Sequence, residues 1–371
     1  MGTGRRVLIE KTLESLQRKD NKSYSAFLGF DACIDNIVRV VKEKRDDGEP
    51  RFFETGRDFA EYIISRGSKS CGIELSTRVS KLGGNMVITS NALGSLGISI
   101  DCAGTFGLPD ILPFFRSMSS NCKLHTIGDT ITATALEFTS NKVIIFDPGP
   151  YDNLTWKSVV DITGKDLLSK LIMGKELVSF LNWSEIFRST EIWEGFLEDI
   201  IPGSVKENSG EIFFTDISDC SRRSREEIRH IPVMLGRFRK YFKVVLSLNH
   251  NEADLLAGAL EIPHCGRDDE FILSLQKKSG ADILVIHRNN DAIGTGGKEV
   301  FSAATFHSEN PVILTGGGDN FNAGLCLALL KGMNLPEALL TANAVAGYYV
   351  GNGYSPDYCQ LTGFLELKLD S

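Results

Sequence analysis

The sequence predicts an α/β protein whose mostly parallel central sheet is covered by helices on both faces and carries a small β lid. Short apolar runs without polar alternation recur along the chain, as strands buried on both faces require. Longer segments with helical periodicity separate them, which is the order expected of right-handed crossovers. Two segments interrupt this order with alternating residues around polar turns, which is typical of antiparallel strands.

The predicted elements follow from these patterns in chain order. The central strands are expected at 26–30, 98–103, 177–181, 212–215, 244–248 and 283–286. The most regular helical stretches are 86–96, 225–241 and 270–278. The two interrupting segments, at about 36–54 and 122–147, are predicted to form the lid. Because no repeat, low-complexity tract or linker divides the sequence, we predict one domain over residues 1–371.

Composition restricts the class of function. The chain has 40 basic and 48 acidic side chains, a net charge of −8, so neither nucleic acid nor an anionic membrane is expected as a partner. No stretch reaches the roughly 18 apolar residues of a membrane span, and the first residues lack the apolar core of a signal peptide. The eight cysteines form no C-x-x-C pair and are expected to be free thiols. We therefore predict a cytoplasmic protein.

The sharpest local signal is a run of three glycines, Gly316, Gly317 and Gly318. It follows an apolar run, 312–314, that we expect to be a strand, and it precedes an apolar helix over 320–330. Backbone N–H groups in such a turn can surround an anion at the positive end of the helix.

Asp319 follows these glycines directly. It would either cap the helix or accept the proton of a hydroxyl group that attacks a phosphate bound beside it. Polar residues also follow two predicted strands, at Asp31 and Asp35 and in Asn249-His-Asn-Glu252. A third polar segment, Lys81-Leu-Gly-Gly-Asn85, precedes a predicted helix. The carboxyl ends of parallel strands are where α/β proteins bind ligands.

These segments, in this order, resemble the ribokinase-like (PfkB) family of carbohydrate kinases from about residue 24 to about residue 352. The resemblance implies a nucleotide-dependent sugar kinase in which Asp319 is the general base and Gly316, Gly317 and Gly318 form the anion hole. It also implies that Asn249 and Glu252 organise Mg²⁺ and phosphate, with Glu252 as the metal residue.

The same resemblance assigns the acceptor and nucleotide sides. Asp35 and the turn Gly83-Gly84-Asn85 are implied to bind sugar hydroxyls, and we place Asp31, at the same strand end, with them. Asn322 and Asn343 are assigned to the nucleotide, although close helix packing is an alternative explanation for Asn343.

Departures from the family pattern leave the phosphoryl donor open. The Asp-Thr pair usual before the anion hole is replaced by Ile313-Leu-Thr315, and the usual glycine turn after the penultimate strand is replaced by His287-Arg-Asn-Asn-Asp-Ala292. Arg288 would contact a nucleotide phosphate or lie in an exposed loop. ATP is expected as the phosphoryl donor. ADP is the alternative, because some spacings between the motifs are closer to those of the ADP-dependent sugar kinases.

Three other functions compete with this interpretation. A nucleoside or vitamin-precursor kinase would use the same phosphate-binding residues, and a non-catalytic relative would retain the fold. A dinucleotide-dependent dehydrogenase is disfavoured because no G-x-G-x-x-G follows an early strand. The expected ligands are Mg²⁺, a nucleotide and a small sugar, and a homodimer is a possible assembly.

Overall fold

The computed structural model describes residues 3–18, 22–139, 141–263 and 268–369. The strands in chain order are β1 (Ser25–Phe30), β2 (Cys33–Lys44), β3 (Pro50–Phe52), β4 (Leu75–Gly83), β5 (Ser99–Gly104), β6 (Cys122–Thr126), β7 (Ile131–Glu137), β8 (Lys142–Phe146), β9 (Leu177–Phe180), β10 (Ile212–Asp216), β11 (Lys243–Asn249), β12 (Ile283–His287), β13 (Asp291–Thr295) and β14 (Val300–Ala304).

The helices in chain order are α1 (Thr3–Gln17), α2 (Gly56–Arg66), α3 (Asn85–Ser95), α4 (Gly149–Asp152), α5 (Trp156–Thr163), α6 (Lys165–Ile172), α7 (Ser189–Gly195), α8 (Ile201–Ser204), α9 (Arg225–Phe238), α10 (His250–Ala259), α11 (Asp268–Ser279), α12 (Gly317–Leu330), α13 (Leu335–Asn352) and α14 (Tyr358–Leu369). A 3₁₀ segment spans Pro113–Ser117, and a π-helical segment, Phe196–Ile200, connects α7 to α8.

A central sheet of nine strands has the order β14-β13-β12-β11-β10-β9-β1-β5-β6. All pairs from β12 to β6 are parallel, whereas β13 and β14 are antiparallel edge strands. The six predicted central strands correspond to β1, β5 and β9 to β12, so the predicted α/β fold with a mostly parallel sheet is confirmed. The carboxyl ends of these strands meet at one edge, where α/β proteins bind ligands.

Helices cover both faces of this sheet, which explains the continuous apolar runs. Neighbouring residues of β1 belong to different apolar clusters: Phe27 packs on one face and Leu28 on the other. On the first face, Phe213 and Phe238 stack with ring centroids 3.8 Å apart. Each fully buried side chain of this kind stabilises the fold by roughly 1.5–3 kcal/mol.

The lid is a separate curled sheet built around β2. This strand pairs with β3 and β4 in antiparallel fashion and with β7 in parallel, and β8 pairs with β7. A small cluster stabilises it, in which Val38, Phe53 and Leu136 pack near Phe59 and Tyr62 of α2. The lid predicted at 36–54 is therefore present, and it extends back to residue 33.

Two sequence expectations are wrong, and one strand was not predicted. Cys122–Thr126, predicted as part of the lid, is the parallel edge strand next to β5, and none of its residues is fully buried because it lies at the sheet edge. The expected strand at 312–314 is an irregular segment whose Val312 and Ile313 N–H groups donate to the Val350 carbonyl of α13. Strand β4 belongs to the lid although its mostly exposed residues gave no strand signal.

Two further expectations concern the whole chain. Within the described ranges, no helix is both long and apolar enough to cross a membrane. The seven described cysteines are free thiols, as predicted, while Cys265 lies outside the described residues.

Candidate active site

The glycine turn begins α12 earlier than the sequence predicted, because the helix starts at Gly317. Gly316 is the N-cap residue with φ of +95°, a left-handed conformation that favours glycine. Tyr349 Oη donates to the Thr315 carbonyl at 2.9 Å and fixes the preceding residue. In the described part of the chain, the N–H groups of Gly318 and Asp319 have no hydrogen-bond acceptor. The turn therefore presents open backbone donors at the positive end of α12.

Asp319 lies in the first turn of α12. Its carboxylate has no hydrogen-bond partner among the described side chains, although Thr89 Oγ1 donates to its main-chain oxygen at 3.4 Å. Burial raises the pKa of Asp319 well above its usual value, and the negative charges of Asp216 and Asp31 add to this, while Lys81 acts in the opposite direction. The side chain is thus available to take up a proton.

Asp35 lies on β2 of the lid, opposite Lys81 of β4 in the strand register. Burial raises the pKa of Asp35, and the charges of Lys81 and Lys142 work against this rise. Gly83 makes room for the carboxylate, since a Cβ atom there would lie 2.6 Å from Asp35 Cγ. The adjacent Asn85 begins α3, and its side-chain amide makes no hydrogen bond within the described residues.

Asp31 has a different environment from Asp35. Its Oδ2 accepts hydrogen bonds from the Asn85 backbone N–H at 2.7 Å and from Asn182 Nδ2 at 2.8 Å. Its Oδ1 accepts from the Met86 N–H at 2.9 Å. Gly84, the N-cap residue of α3, has no side chain that could make these bonds. The structure therefore shows Asp31 capping α3, with both oxygens engaged.

Two lysines of the lid reach the glycine turn, and the sequence analysis assigned a role to neither. Lys81 Nζ donates to the Thr315 carbonyl at 3.5 Å, and Lys142 Nζ donates to Thr315 Oγ1. Lys81 also interacts electrostatically with Asp35 and Asp319. These contacts bring the lid against the start of α12 and place positive charge beside the carboxylates.

The predicted Asn249–Glu252 pair forms a capping box at the start of α10. Asn249 Oδ1 accepts from the Glu252 N–H at 2.9 Å, and the Glu252 carboxylate accepts from the Asn249 N–H at 2.8 Å and from its Nδ2 at 2.6 Å. Burial, with the charge of Asp216, raises the pKa of Glu252 to about 9. Burial likewise raises the pKa of Asp216 to about 6.

A cavity of about 1190 Å³ opens on the other side of the glycine turn. Of the predicted residues, its lining includes Gly317, Gly318, Asn249 and Asn343. The Asn343 amide donates to the Ala303 carbonyl at 2.8 Å, so part of its hydrogen-bonding capacity holds α13 to β14. This volume is larger than the usual range of about 300–1,000 Å³ for small-molecule sites.

Asn322 does not line this cavity. It is fully buried and donates through Nδ2 to Asp216 Oδ2 at 2.7 Å, which joins α12 to the end of β10. Arg288 does line the cavity, but its guanidinium is bound by Asp291 at 2.7 Å through two nitrogens and by Asp268 at 2.6 Å. Its positive charge is therefore already balanced by carboxylates of this chain.

Solved structures share this arrangement of central sheet and lid. Ribokinase of Thermotoga maritima superposes with a TM-score of 0.62 at 15% identity, over 93% of this chain and 100% of that chain. Adenosine kinase of Sinorhizobium meliloti superposes with a TM-score of 0.63 at 15% identity, over 94% and 100%. The protein thus has the ribokinase-like fold.

Sequence comparison gives the family. The family model of prokaryotic ketohexokinases matches residues 9–367. A ketohexokinase of Haloferax volcanii is 27% identical over 349 residues, which cover 92% of this chain and 91% of that protein. The chain belongs to the prokaryotic ketohexokinase family and is a carbohydrate kinase.

Proposed function

We propose that this kinase transfers the γ-phosphoryl group of ATP to a hydroxyl group of a ketohexose. The family and the Haloferax relative are named for ketohexose phosphorylation, which supports the acceptor. A putative ribokinase II of E. coli, with a TM-score of 0.59 at 14% identity over 93% of this chain and 99% of that chain, was solved with ATP and Mg²⁺, which supports the donor. The observation that carries the proposal is the free carboxylate of Asp319 beside an open glycine turn.

In the proposed reaction, the ketohexose oxygen forms a bond to the γ-phosphorus and gives its proton to the Asp319 carboxylate. The bond between the γ-phosphorus and the bridging oxygen breaks, and ADP leaves with that oxygen. Phosphoryl transfer asks a protein mainly for positioning and charge stabilisation. The N–H groups of Gly318 and Asp319 would hold the negative charge on the transferred phosphoryl group. The raised pKa of Asp319 favours proton uptake.

The acceptor would bind between the lid and α3. Among the described residues, Asp35 accepts one long hydrogen bond, from Cys33 Sγ to its Oδ1 at 3.4 Å, and the Asn85 side chain makes none, so we assign both residues to sugar hydroxyls. Lys81 would lower the pKa of Asp35 and of Asp319 and so oppose the effect of burial on both carboxyls. A closed lid would also exclude water, which would otherwise compete as phosphoryl acceptor.

The acidic residues fit a nearby Mg²⁺ ion. Burial raises the pKa of Glu252, and the charges of Asp216 and Asp319 add to this, so a cation bound near these three carboxyl groups would replace the proton that Glu252 keeps in the metal-free protein. Within the described residues, no three acidic, His or Cys side chains are arranged to ligate a metal directly. Nucleotide phosphates and water would therefore supply most ligands, with Glu252 and Asn249 contacting that water. The ion would supply neutralisation of phosphate charge.

A panel of acceptors and donors tests this function. Fructose and other ketohexoses, aldohexoses and nucleosides would each be combined with ATP and with ADP, and product would be measured by ³¹P NMR. We expect transfer from ATP, with the highest kcat/KM for a ketohexose. Preference for a nucleoside would contradict the proposed acceptor, and transfer from ADP alone would contradict the donor. No transfer to any of these acceptors by the folded protein would contradict the proposed reaction as a whole. The homodimer stays a prediction, which sedimentation velocity can test.

A further inference from the structure

His287 is the last residue of β12, and its imidazole forms part of the cavity wall next to the glycine turn. It lies beside Asn249 in the register of the two parallel strands. Its ring packs against Phe321 of α12 with centroids 5.0 Å apart. A Cβ atom on Gly318 would lie 3.2 Å from His287 Cε1, so the ring occupies the space that this glycine leaves open.

The two ring nitrogens of His287 differ in their surroundings. Nε2 is buried and has no hydrogen-bond partner in the described part of the chain, whereas Nδ1 is not enclosed. Burial lowers the pKa of His287 to about 4, so the ring is neutral near pH 7 and carries one proton. A buried N–H group without an acceptor is costly. The proton is therefore favoured on Nδ1, the nitrogen that is not enclosed.

The rest of the cavity lining offers little positive charge for a phosphate chain. Among the described residues that line it, Arg288 is the only lysine or arginine, and its guanidinium is held by Asp291 and Asp268. A nucleotide entering here would rely on neutral donors. The open N–H groups of Gly318 and Asp319 are two such donors, and Gly318 lies next to the His287 ring, whose Cε1 and Nε2 atoms would be 3.2 Å and 3.8 Å from a Cβ atom there.

We propose that His287 is a further nucleotide-binding residue, whose Nδ1–H group donates a hydrogen bond to a phosphate oxygen at the glycine turn. This inference rests on the proposed function, because it takes the cavity as the donor site. In this chain, His287 begins the segment that replaces the usual glycine turn after the penultimate strand. The inference gives that replacement a role in phosphate binding. A side chain at Gly318 would also crowd the His287 ring, since its Cβ atom would lie 3.2 Å from Cε1.

Three substitutions of His287 separate hydrogen bonding from packing. His287→Phe keeps a ring against Phe321 but removes both nitrogens. His287→Asn places an amide nitrogen close to the position of Nδ1, and His287→Gln places one closer to that of Nε2. Calorimetry without sugar would measure the binding of ATP, ADP and adenosine to each folded variant. A hydrogen bond to a charged group is worth about 1.5–3 kcal/mol, so we expect His287→Phe to weaken ATP binding by roughly 10- to 150-fold.

The expected pattern is specific. Adenosine affinity should stay at the wild-type value in all three variants, and His287→Asn should bind ATP more tightly than His287→Gln or His287→Phe. Equal ATP affinity of wild type and His287→Phe would overturn the inference, and so would an equal loss for ATP and adenosine, which indicates a packing role. If ATP binding depends on His287 but no ketohexose is phosphorylated, the proposed function fails and this inference stands. If ketohexose is phosphorylated equally well by all variants, the inference fails alone.

Discussion

Asp31 and Asn85 are joined by a 2.7 Å hydrogen bond from the backbone N–H of Asn85 to the Oδ2 atom of Asp31. This bond lets a residue at the end of β1 cap a helix that begins 54 positions later in the chain. It also places Asn85, one of the proposed sugar-binding residues, at a fixed position beside the first strand. Asp31 therefore acts on the acceptor side through the position of α3.

The first prediction concerns this cap. Asp31→Asn keeps the size of the side chain but replaces one of its two acceptor oxygens with an amide nitrogen. One of the donors that now bind the carboxylate would then face another donor, which costs about 1–3 kcal/mol. We expect a lower Tm in thermal denaturation, with a smaller effect on nucleotide affinity. An unchanged Tm with a large loss of sugar affinity would show that Asp31 is itself a sugar ligand.

The central sheet was predictable because its strands are buried on both faces and therefore read as continuous apolar runs. The edge strands were not, because short segments such as Asp291–Thr295 contain few large apolar residues. Strand β4 acquires its conformation by pairing with β2, and exposed residues such as Val79 do not record that pairing. Its assignment needed the three-dimensional structure.

The site shows the same division. Local motifs identified the glycine turn with Asp319 and the capping box with Glu252, because their residues are close in sequence. Asp31 and Asp35 could not be told apart, since both follow β1 and only tertiary contacts give one to α3. The pairing of Asp35 with Lys81 depends on strand register, which the sequence does not contain.

The second prediction tests the proposed base. Asp319→Asn removes the proton acceptor but keeps a side chain that is well suited to the first turn of a helix. We expect kcat to fall by at least about 100-fold, the usual contribution of general-base catalysis. Because burial disfavours the ionised carboxylate, the variant should have the same Tm as wild type or a higher one. Turnover close to the wild-type value in a folded variant would exclude Asp319 as the base.

The third prediction concerns the acceptor. If Asp35 binds a sugar hydroxyl, Asp35→Ala leaves that hydroxyl without a partner, which costs roughly 1–3 kcal/mol, or about 5- to 150-fold in affinity. Nucleotide affinity should not change, because the cavity lies on the other side of the glycine turn. Sugar and nucleotide affinities would be measured by calorimetry, together with Tm. A lower Tm with unchanged sugar affinity would instead assign Asp35 a structural role.

The fourth prediction is a change in pH dependence. Lys81 lowers the pKa of Asp319, so Lys81→Met should raise that pKa and move the acidic limb of the kcat profile to higher pH. Lys142→Met is a matched control, because Lys142 also contacts Thr315 but is not among the charges with the largest effect on the pKa of Asp319. We expect its acidic limb to stay at the wild-type pH. Equal shifts in both variants would show that the effect comes from the lid as a whole.

Two capping boxes in this chain differ in the charge around their glutamates. Glu252 of α10 is buried near Asp216, and its pKa is raised to about 9. Glu227 of α9 forms the same kind of box with Ser224 near the surface. Burial opposes ionisation at Glu227, but the hydrogen bonds from Ser224 and the charge of Arg223 outweigh it and lower its pKa. The same local motif therefore makes the free energy of unfolding depend on pH with opposite sign at the two glutamates.

The fifth prediction follows from this contrast. Between the ordinary glutamate pKa of 4.5 and about 9, the folded protein keeps a proton on Glu252 that the unfolded chain has released. Unfolding then releases protons, so the free energy of unfolding should decrease as pH rises through this window. Glu252→Gln should flatten that decrease. Glu227→Gln is the control, because a lowered pKa gives stability that is lost as pH falls, so this variant should keep the wild-type slope above pH 5. Urea denaturation without nucleotide or Mg²⁺, at several pH values, measures both slopes. An unchanged slope in Glu252→Gln would mean that Glu252 is ionised in the folded protein, which its burial and the nearby charge of Asp216 argue against.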